Sequence, residues 1–353
     1  LNLFGKDANI INENFIKYEK NSEFDFIIGN PPYNANGLKK VPTNSKEKKT
    51  SDGETMWIPF IKKSISLLKQ KGKLLMIIPS IWMKPDRAKT YHYLMNYKIL
   101  KLRCFNNTET NKIFSGEAQT PTCILLLSKE INDIQNIELD LYDKQRAIYV
   151  LYKFNLNKPI PVFGISIINK IQPFIEKFGS IKVFKSNTPK KNSLFSDIKN
   201  DTYKYPNIKT TTLEGNTPRL IINFSNTPQN YFEESKVVLP HKMYGFPYID
   251  KNGVYGISNR DNYIIKNYEP EELEIIKDFF STMTVLYIFE TTRYRMKYLE
   301  KYAFEFIPDI KCLLKIERPI NDKSIAKYFN FDELDKKNIR SLHNKDYNFI
   351  YKN

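Results

Sequence analysis

The chain is poor in the residues that build metal clusters and covalent staples, with three cysteines and three histidines in 353 residues. Cys104, Cys123 and Cys312 lie far apart, and none has a second Cys or His at ligand spacing. That excludes a zinc-finger pattern and a disulfide framework, and it suits a reducing compartment. Long apolar runs are lacking too. Nothing approaches the roughly 18 consecutive apolar residues that span a bilayer, and no cleavable leader opens the sequence. The expectation is a soluble, cytoplasmic protein with no membrane partner. The 12 glycines contain no Gly-x-Gly pair, the usual mark of a phosphate-cradling loop. Acidic residues are in deficit, since 39 against 55 basic ones leave a formal charge of +16. Only nine of the basic residues are arginine, and a lysine excess of this kind can follow from an AT-rich genome. Neither half of the chain is a concentrated basic tail, so the charge permits a polyanionic partner without identifying one.

What is present is enough apolar residue, 41% of the chain, for two cored domains. Residues 23–29 read as a buried strand, because Phe24, Phe26, Ile27 and Ile28 form an apolar run ended by Gly29-Asn30-Pro31-Pro32. The stretch 34–55 turns polar, carries Lys39, Lys40, Lys46, Lys48 and Lys49, and predicts a loop with no fixed structure of its own. Helical periodicity returns over 57–69 through Ile58, Ile61, Ile65 and Leu68, with Gly72 as its stop and a strand at 74–78 beyond. Residues 94–105 and 123–127 read as two further strands. This order predicts a parallel sheet covered by helices, in which ligands collect beyond the carboxyl ends of the strands. Past about residue 150 come short β-branched and aromatic runs, two of which, 246–249 and 254–257, flank Asn252-Gly253 as in a hairpin. The segment 269–302 opens with Glu-Pro-Glu-Glu and carries Leu273, Ile276, Phe280 and Val285 at mostly helical spacing. Two domains are expected, 1–150 and a mixed α+β domain at 151–353.

One short motif carries chemistry. Asn30-Pro31-Pro32-Tyr33 directly follows the first strand. The Asn side chain offers a carbonyl acceptor, and the two prolines hold the Pro31 carbonyl in one direction. Two fixed acceptors converging on one point suit a planar exocyclic amine or amide, because accepting both of its hydrogens favours a pyramidal nitrogen whose lone pair can attack a methyl group. Tyr33 adds a flat face for a heteroaromatic ring, and a base within a duplex would have to be flipped out to reach it.

On these residues the chain resembles the S-adenosylmethionine-dependent amino-methyltransferases, in particular the gamma-class N6-adenine DNA methyltransferases of restriction-modification systems. The resemblance implies an α/β fold, with an incomplete Rossmann-like methyltransferase sheet followed by a mixed α+β DNA target-recognition domain. It also implies S-adenosyl-L-methionine as methyl donor with no metal, and double-stranded DNA as partner. Asn2-Leu3-Phe4-Gly5-Lys6-Asp7-Ala8 is similar to the family segment that contacts the cofactor, which makes Asp7, Ala8 and Asn30 cofactor contacts. Lys112-Ile113-Phe114-Ser115 is similar to the block that supplies a second aromatic, so Phe114 would face Tyr33 across the flipped base. Lys39, Lys40, Lys48 and Lys49 are candidates for phosphate contacts, and Arg293 and Arg295 for base edges, with a solvated loop and a structural helix face as the respective alternatives.

The chain departs from the family where the cofactor loop should be. Only Leu1–Lys6 precede the Asp7 block, and the sequence opens on Leu1 instead of Met. The expectation is an absent N-terminal cofactor half, weak cofactor binding by this chain alone, and the missing segment or a cognate restriction endonuclease as further partner. Two other readings stay open. A protein-glutamine methyltransferase uses the same tetrapeptide to hold a side-chain amide, and a catalytically inactive DNA-binding remnant would keep recognition alone. A nuclease pattern at Asp309 and Glu317 fails, because Pro319 stands where lysine is needed.

Overall fold

The computed structural model describes residues 9–19, 23–34, 55–116, 118, 120–185, 189–214, 217–241, 247–294 and 299–344. Two compact units divide the chain. The first runs to Leu141 and takes in Lys153–Leu156, and the second comprises Tyr142–Tyr152 and the chain from Asn157 onward.

In the first unit, β1 (Phe24–Gly29) is followed by α1 (Trp57–Leu67), β2 (Leu68–Pro79), α2 (Thr90–Met95), β3 (Tyr97–Phe105), α3 (Asn107–Ile113) and β4 (Thr122–Ile131); β5 (Ile137–Asp143) and β6 (Ile148–Phe154) come next and are divided between the two units. The sheet has the order β1-β2-β4-β3-β5-β6. β1 and β2 are parallel, as are β3 and β5, but β4 lies antiparallel to both β2 and β3. The all-parallel expectation therefore fails at residues 123–127. Among the described residues the only helix between β3 and β4 is the two-turn α3, and the antiparallel pairing of the two strands needs no crossover.

The register explains which residues are core. Ile27, Leu74, Leu127 and Ile99 align across four strands, and the last three are buried. α1 sets Trp57, Ile61 and Ile65 at i, i+4 and i+8 as its buried stripe and lies beside β2. In the opposite row, Leu75 and Leu126 are half-buried, whereas Lys101 is exposed and Ile28 is 71% exposed. Phe24 and Phe26, on the same face of β1, are exposed as well. The expected burial of this strand does not hold, because β1 is an edge strand with one bare face among the described residues.

Gly72 does not stop a helix. α1 ends at Leu67 and passes directly into β2, where Lys71 adopts φ 64° and the register with β1 slips between Phe24 and Phe26. A Cβ at Gly72 would lie 2.9 Å from the Lys69 carbonyl oxygen and 3.0 Å from that of Phe24. The bulge needs a bare backbone there. Leu94 and Met95 belong to α2, whose Thr90 N–H is capped by Asp86 Oδ1 at 2.9 Å, and β3 begins only at Tyr97.

The second unit contains α4 (Ile165–Phe178), β7 (Phe195–Ser196), β8 (Tyr205–Glu214), β9 (Thr217–Ser225), β10 (Lys236–Pro240), β11 (Tyr248–Asp250), β12 (Gly256–Ile257) and β13 (Asn262–Lys266). Helices α5 (Pro270–Phe280), α6 (Met283–Thr291), α7 (Ile310–Leu313), α8 (Asp322–Tyr328) and α9 (Glu333–Arg340) follow. Two sheets, β11-β10-β13 and β12-β8-β9-β7, enclose Ile208, Val238, Ile257 and Ile264. The expected hairpin around Asn252-Gly253 is not one. β11 pairs with β10 while β12 pairs with β8, so the turn carries the chain from one sheet to the other. Asp250 dictates this: its carboxylate accepts from the N–H groups of Val254 and Tyr255, both at 2.9 Å, and from buried Lys236 Nζ at 2.7 Å. The long expected helix at 269–302 is two helices broken at Ser281-Thr282, and every residue of α6 is buried. No helix among the described residues is long and apolar enough to cross a membrane.

Candidate active site

The tetrapeptide sits where β1 ends. Gly29 pairs with Met76 in β2, and a Cβ on Gly29 would lie 3.2 Å from the Met76 Cε. The backbone entering the loop is thus bare and tightly backed. Asn30 and Pro32 are exposed, Pro31 is buried and Tyr33 is half-buried. The loop is pinned from its far side, because Met56 N–H donates to the Tyr33 carbonyl at 3.1 Å and Asn34 bridges to Thr55. Asn30 thus exposes its side chain beside a proline backbone held from both ends.

Phe114 meets Tyr33. The two ring centroids are 6.3 Å apart and the planes lie at 76°, an edge-to-face pair. Phe114 is positioned by α3, which starts with a capping box in which Asn106 Oδ1 accepts from Glu109 N–H at 2.9 Å and Glu109 Oε2 accepts from Asn106 N–H at 2.7 Å. Fully buried Thr110 and Thr122 share a hydroxyl hydrogen bond of 3.0 Å that ties this helix to β4. The helix closes on Phe114, and the backbone then turns through two left-handed residues, Ser115 and Gly116. Two aromatics far apart in sequence thus touch each other just after the end of β1, edge against face and not as two parallel faces with a gap between them.

The floor under Tyr33 was not read from the sequence. The Tyr33 hydroxyl is buried without a hydrogen-bond partner, and burial followed by the nearby Cys123 drives its pKa well above the usual phenol range. Cys123, in β4, is itself wholly buried, which pushes its thiol up to about 12. It is an inert packing residue here. Only strand pairing brings β4 near β1, so spacing carried no signal for it.

The other expected site residues divide in two. Asp7, Ala8, Lys39, Lys40, Lys48, Lys49 and Arg295 lie outside the described residues. Arg293 is described, and its Nη1 bonds both oxygens of buried Glu290, at 2.9 and 3.2 Å. Among the described residues no group of His, Cys, Asp or Glu is arranged to hold a metal ion.

The acceptor loop and the paired aromatics thus lie together at the end of β1. Residues 2–114 match the model of the Eco57I restriction-modification methylase family, a stretch that includes the tetrapeptide and ends on Phe114. The chain is similar to the Type II methyltransferase M.AccI of Acinetobacter calcoaceticus, 29% identical over 199 residues, covering 52% of this chain and 36% of that protein. It is 34% identical over 122 residues to the Type II restriction enzyme and methyltransferase RM.Eco57I of Escherichia coli, covering 32% of this chain and 12% of that one. The chain therefore spans little more than a third of the first of these relatives and far less of the second. Among solved structures, the Type IIL restriction-modification enzyme MmeI in complex with DNA aligns with 90% of this chain and 54% of its own, at 11% identity and a TM-score of 0.40.

Proposed function

We propose that the chain carries the catalytic motif and the target-recognition part of a DNA methyltransferase acting on N6 of adenine within a restriction-modification system. The observation that supports this reading is the contact of Tyr33, three residues after Asn30 and just past β1, with Phe114. A flat base on Tyr33 would have its exocyclic amine within reach of the Asn30 side-chain oxygen and the Pro31 carbonyl. Both accept N6 hydrogens and leave the nitrogen lone pair free to form the new bond. S-adenosyl-L-methionine would supply the methyl group as an electrophile and keep the electron pair of the broken bond on sulfur. By the family resemblance, Asp7, Ala8 and Asn30 would lie on the cofactor side. Once N6 carries four bonds its surplus proton leaves along the same acceptors to solvent, which exposed Asn30 adjoins.

A glutamine amide could use the same acceptors, but it needs neither two aromatic rings nor a second unit of this size. The test is transfer of a labelled methyl group to duplex DNA by the chain in its full polypeptide context, with the product nucleoside identified. N6-methyladenine is expected, and Asn30→Ala should lower its yield by about a hundred- to a thousandfold. Labelled N4-methylcytosine, or labelled protein in place of DNA, would overturn the assignment.

A further inference from the structure

At one end of the β11-β10-β13 sheet, four charged or polar side chains come together that neither the tetrapeptide nor the core requires. β10 runs out at Pro240 opposite Asn262, the first residue of β13, and Phe184 bridges to Ile264 on the far side of β13. The residues that follow or precede these points are Lys185, His241, Arg260 and Asp261. Glu300 joins them from the segment leading to Lys301.

Lys185 and His241 are held by rigid partners, and Arg260 and Asp261 sit on an ordered turn. Lys185 Nζ stands 4.6 Å over the ring of Tyr263, and the Tyr263 hydroxyl is fixed to the Leu299 carbonyl at 2.9 Å. His241 N–H donates to the Asp261 carbonyl at 2.5 Å, its carbonyl accepts from Leu299 N–H at 2.7 Å, and its ring packs edge-on against Tyr263 at 5.8 Å. Arg260 is exposed on a tight turn, in which Asn259 Oδ1 accepts from Asp261 N–H at 3.0 Å and from Asn262 Nδ2 at 3.3 Å. Burial first, then Lys185, lowers the pKa of His241 to about 4, so its ring is neutral at physiological pH, and a hydrogen bond to the Leu299 backbone helps to hold it. Lys185 is also lowered by burial, which Glu300 and Asp261 partly offset.

The composition of this cluster decides what it fits. A phosphate-tracking surface is built of cations and neutral donors, whereas here two carboxylates stand among two cations and a neutral imidazole, leaving little net charge. Fixed donors and acceptors of both kinds on strand ends are what reading base edges requires: Arg and Lys donate to guanine, carboxylates accept from cytosine or adenine amines. We propose that Lys185, His241, Arg260 and Asp261 form a base-edge reading site that sets the DNA sequence the protein selects. This rests on the duplex-binding reading above and adds to it the residues of selection.

The experiment is selection of bound sequences from a randomised duplex pool by the full chain, with Arg260→Ala compared with the unaltered protein. Arg260 is exposed, so the variant should melt at the same temperature. The unaltered protein should enrich one sequence, and the variant should lose about ten- to a hundredfold of discrimination at one or two adjacent positions. Its affinity for random duplex and the salt dependence of that affinity should stay unchanged. A uniform loss over all sequences with a shallower salt dependence makes Arg260 a phosphate contact and overturns the proposal. An unchanged preference overturns it too, as does an unaltered protein that enriches nothing. The readout needs no methyl transfer. Enrichment without methylation would sink the methyltransferase reading alone, and methylation with unaltered preference in the variant would sink this one alone.

Discussion

At the scale of single residues, the Tyr33 hydroxyl is the sharpest test of how the site is built. It is buried and unpaired, and such a group costs about 1–3 kcal/mol in lost hydration. Tyr33→Phe should therefore fold at least as stably as the parent, gaining about 1 kcal/mol by denaturant titration, and should keep its methyl transfer because the flat face remains. Tyr33→Ala removes that face, and transfer to DNA should drop by about ten- to a hundredfold, the value of one base-aromatic stack. A Tyr33→Phe variant that is as inactive as Tyr33→Ala would show that the hydroxyl takes part in the chemistry. The tetrapeptide was legible in the sequence because its acceptors are contiguous and the prolines fix them locally. Phe114 was legible only through resemblance, and Cys123 not at all, since a neutral thiol beneath a ring leaves no spacing pattern. Arg293 was a base-edge candidate with a structural helix face as the alternative, and its pairing with Glu290, three residues earlier on α6, fits the alternative.

At the scale of elements, β1 and β2 make opposite predictions from similar composition. Ile28 is 71% exposed on β1, so Ile28→Ser should change stability by no more than about 0.5 kcal/mol. Leu74 on β2 is fully buried, and Leu74→Ala should cost about 2–5 kcal/mol in the same titration. A large loss at Ile28 would mean that something covers the open face in solution. An apolar run in sequence says that a segment suits a pleated surface, not which of its faces has a neighbour, and this is why burial of β1 was misread. The turn at Asn252-Gly253 was misread for a related reason. Its local geometry is a true turn, but Asp250 and the pairing of β12 with β8 decide where the chain goes next. The break between α5 and α6 had a visible cue in Ser281-Thr282. What could not be seen was that Asp322, far along the chain, caps α6 by accepting from Thr284 N–H at 2.7 Å and Thr284 Oγ1 at 2.6 Å. Removing it in Asp322→Ala should cost about 1 kcal/mol or slightly more, with the loss read as a lower unfolding midpoint.

At the scale of the whole molecule, the excess of 16 positive charges hides a second unit whose folding depends on a few acids. Arg146 and Lys170 share Asp332 and the buried Asp335, and Arg146 also reaches Asp143. Burial opposes ionisation of Asp332, but the Asp335 backbone N–H and the two cations outweigh it and hold this carboxyl well below its ordinary value. The same contacts raise Arg146 and Lys170 against the effect of burial, so both stay charged throughout the neutral range. The sign follows from proton counting. A carboxylate with a depressed folded pKa contributes stability that is complete above its unfolded value, near 3.8, and is lost as pH falls towards the folded one. His241 acts at higher pH. Its folded pKa of about 4 against an ordinary 6.5 means that the unfolded chain takes up a proton first, so stability begins to fall below about pH 6.5 and the loss is complete near pH 4. Two windows of acid destabilisation are expected, separable by variant. His241→Phe should flatten the unfolding free energy between pH 6.5 and 4 while leaving the steeper fall at lower pH, and Asp332→Asn should do the reverse. Denaturant midpoints measured at intervals across both windows decide the matter, and a parent-like curve in either variant would reassign that window to other groups.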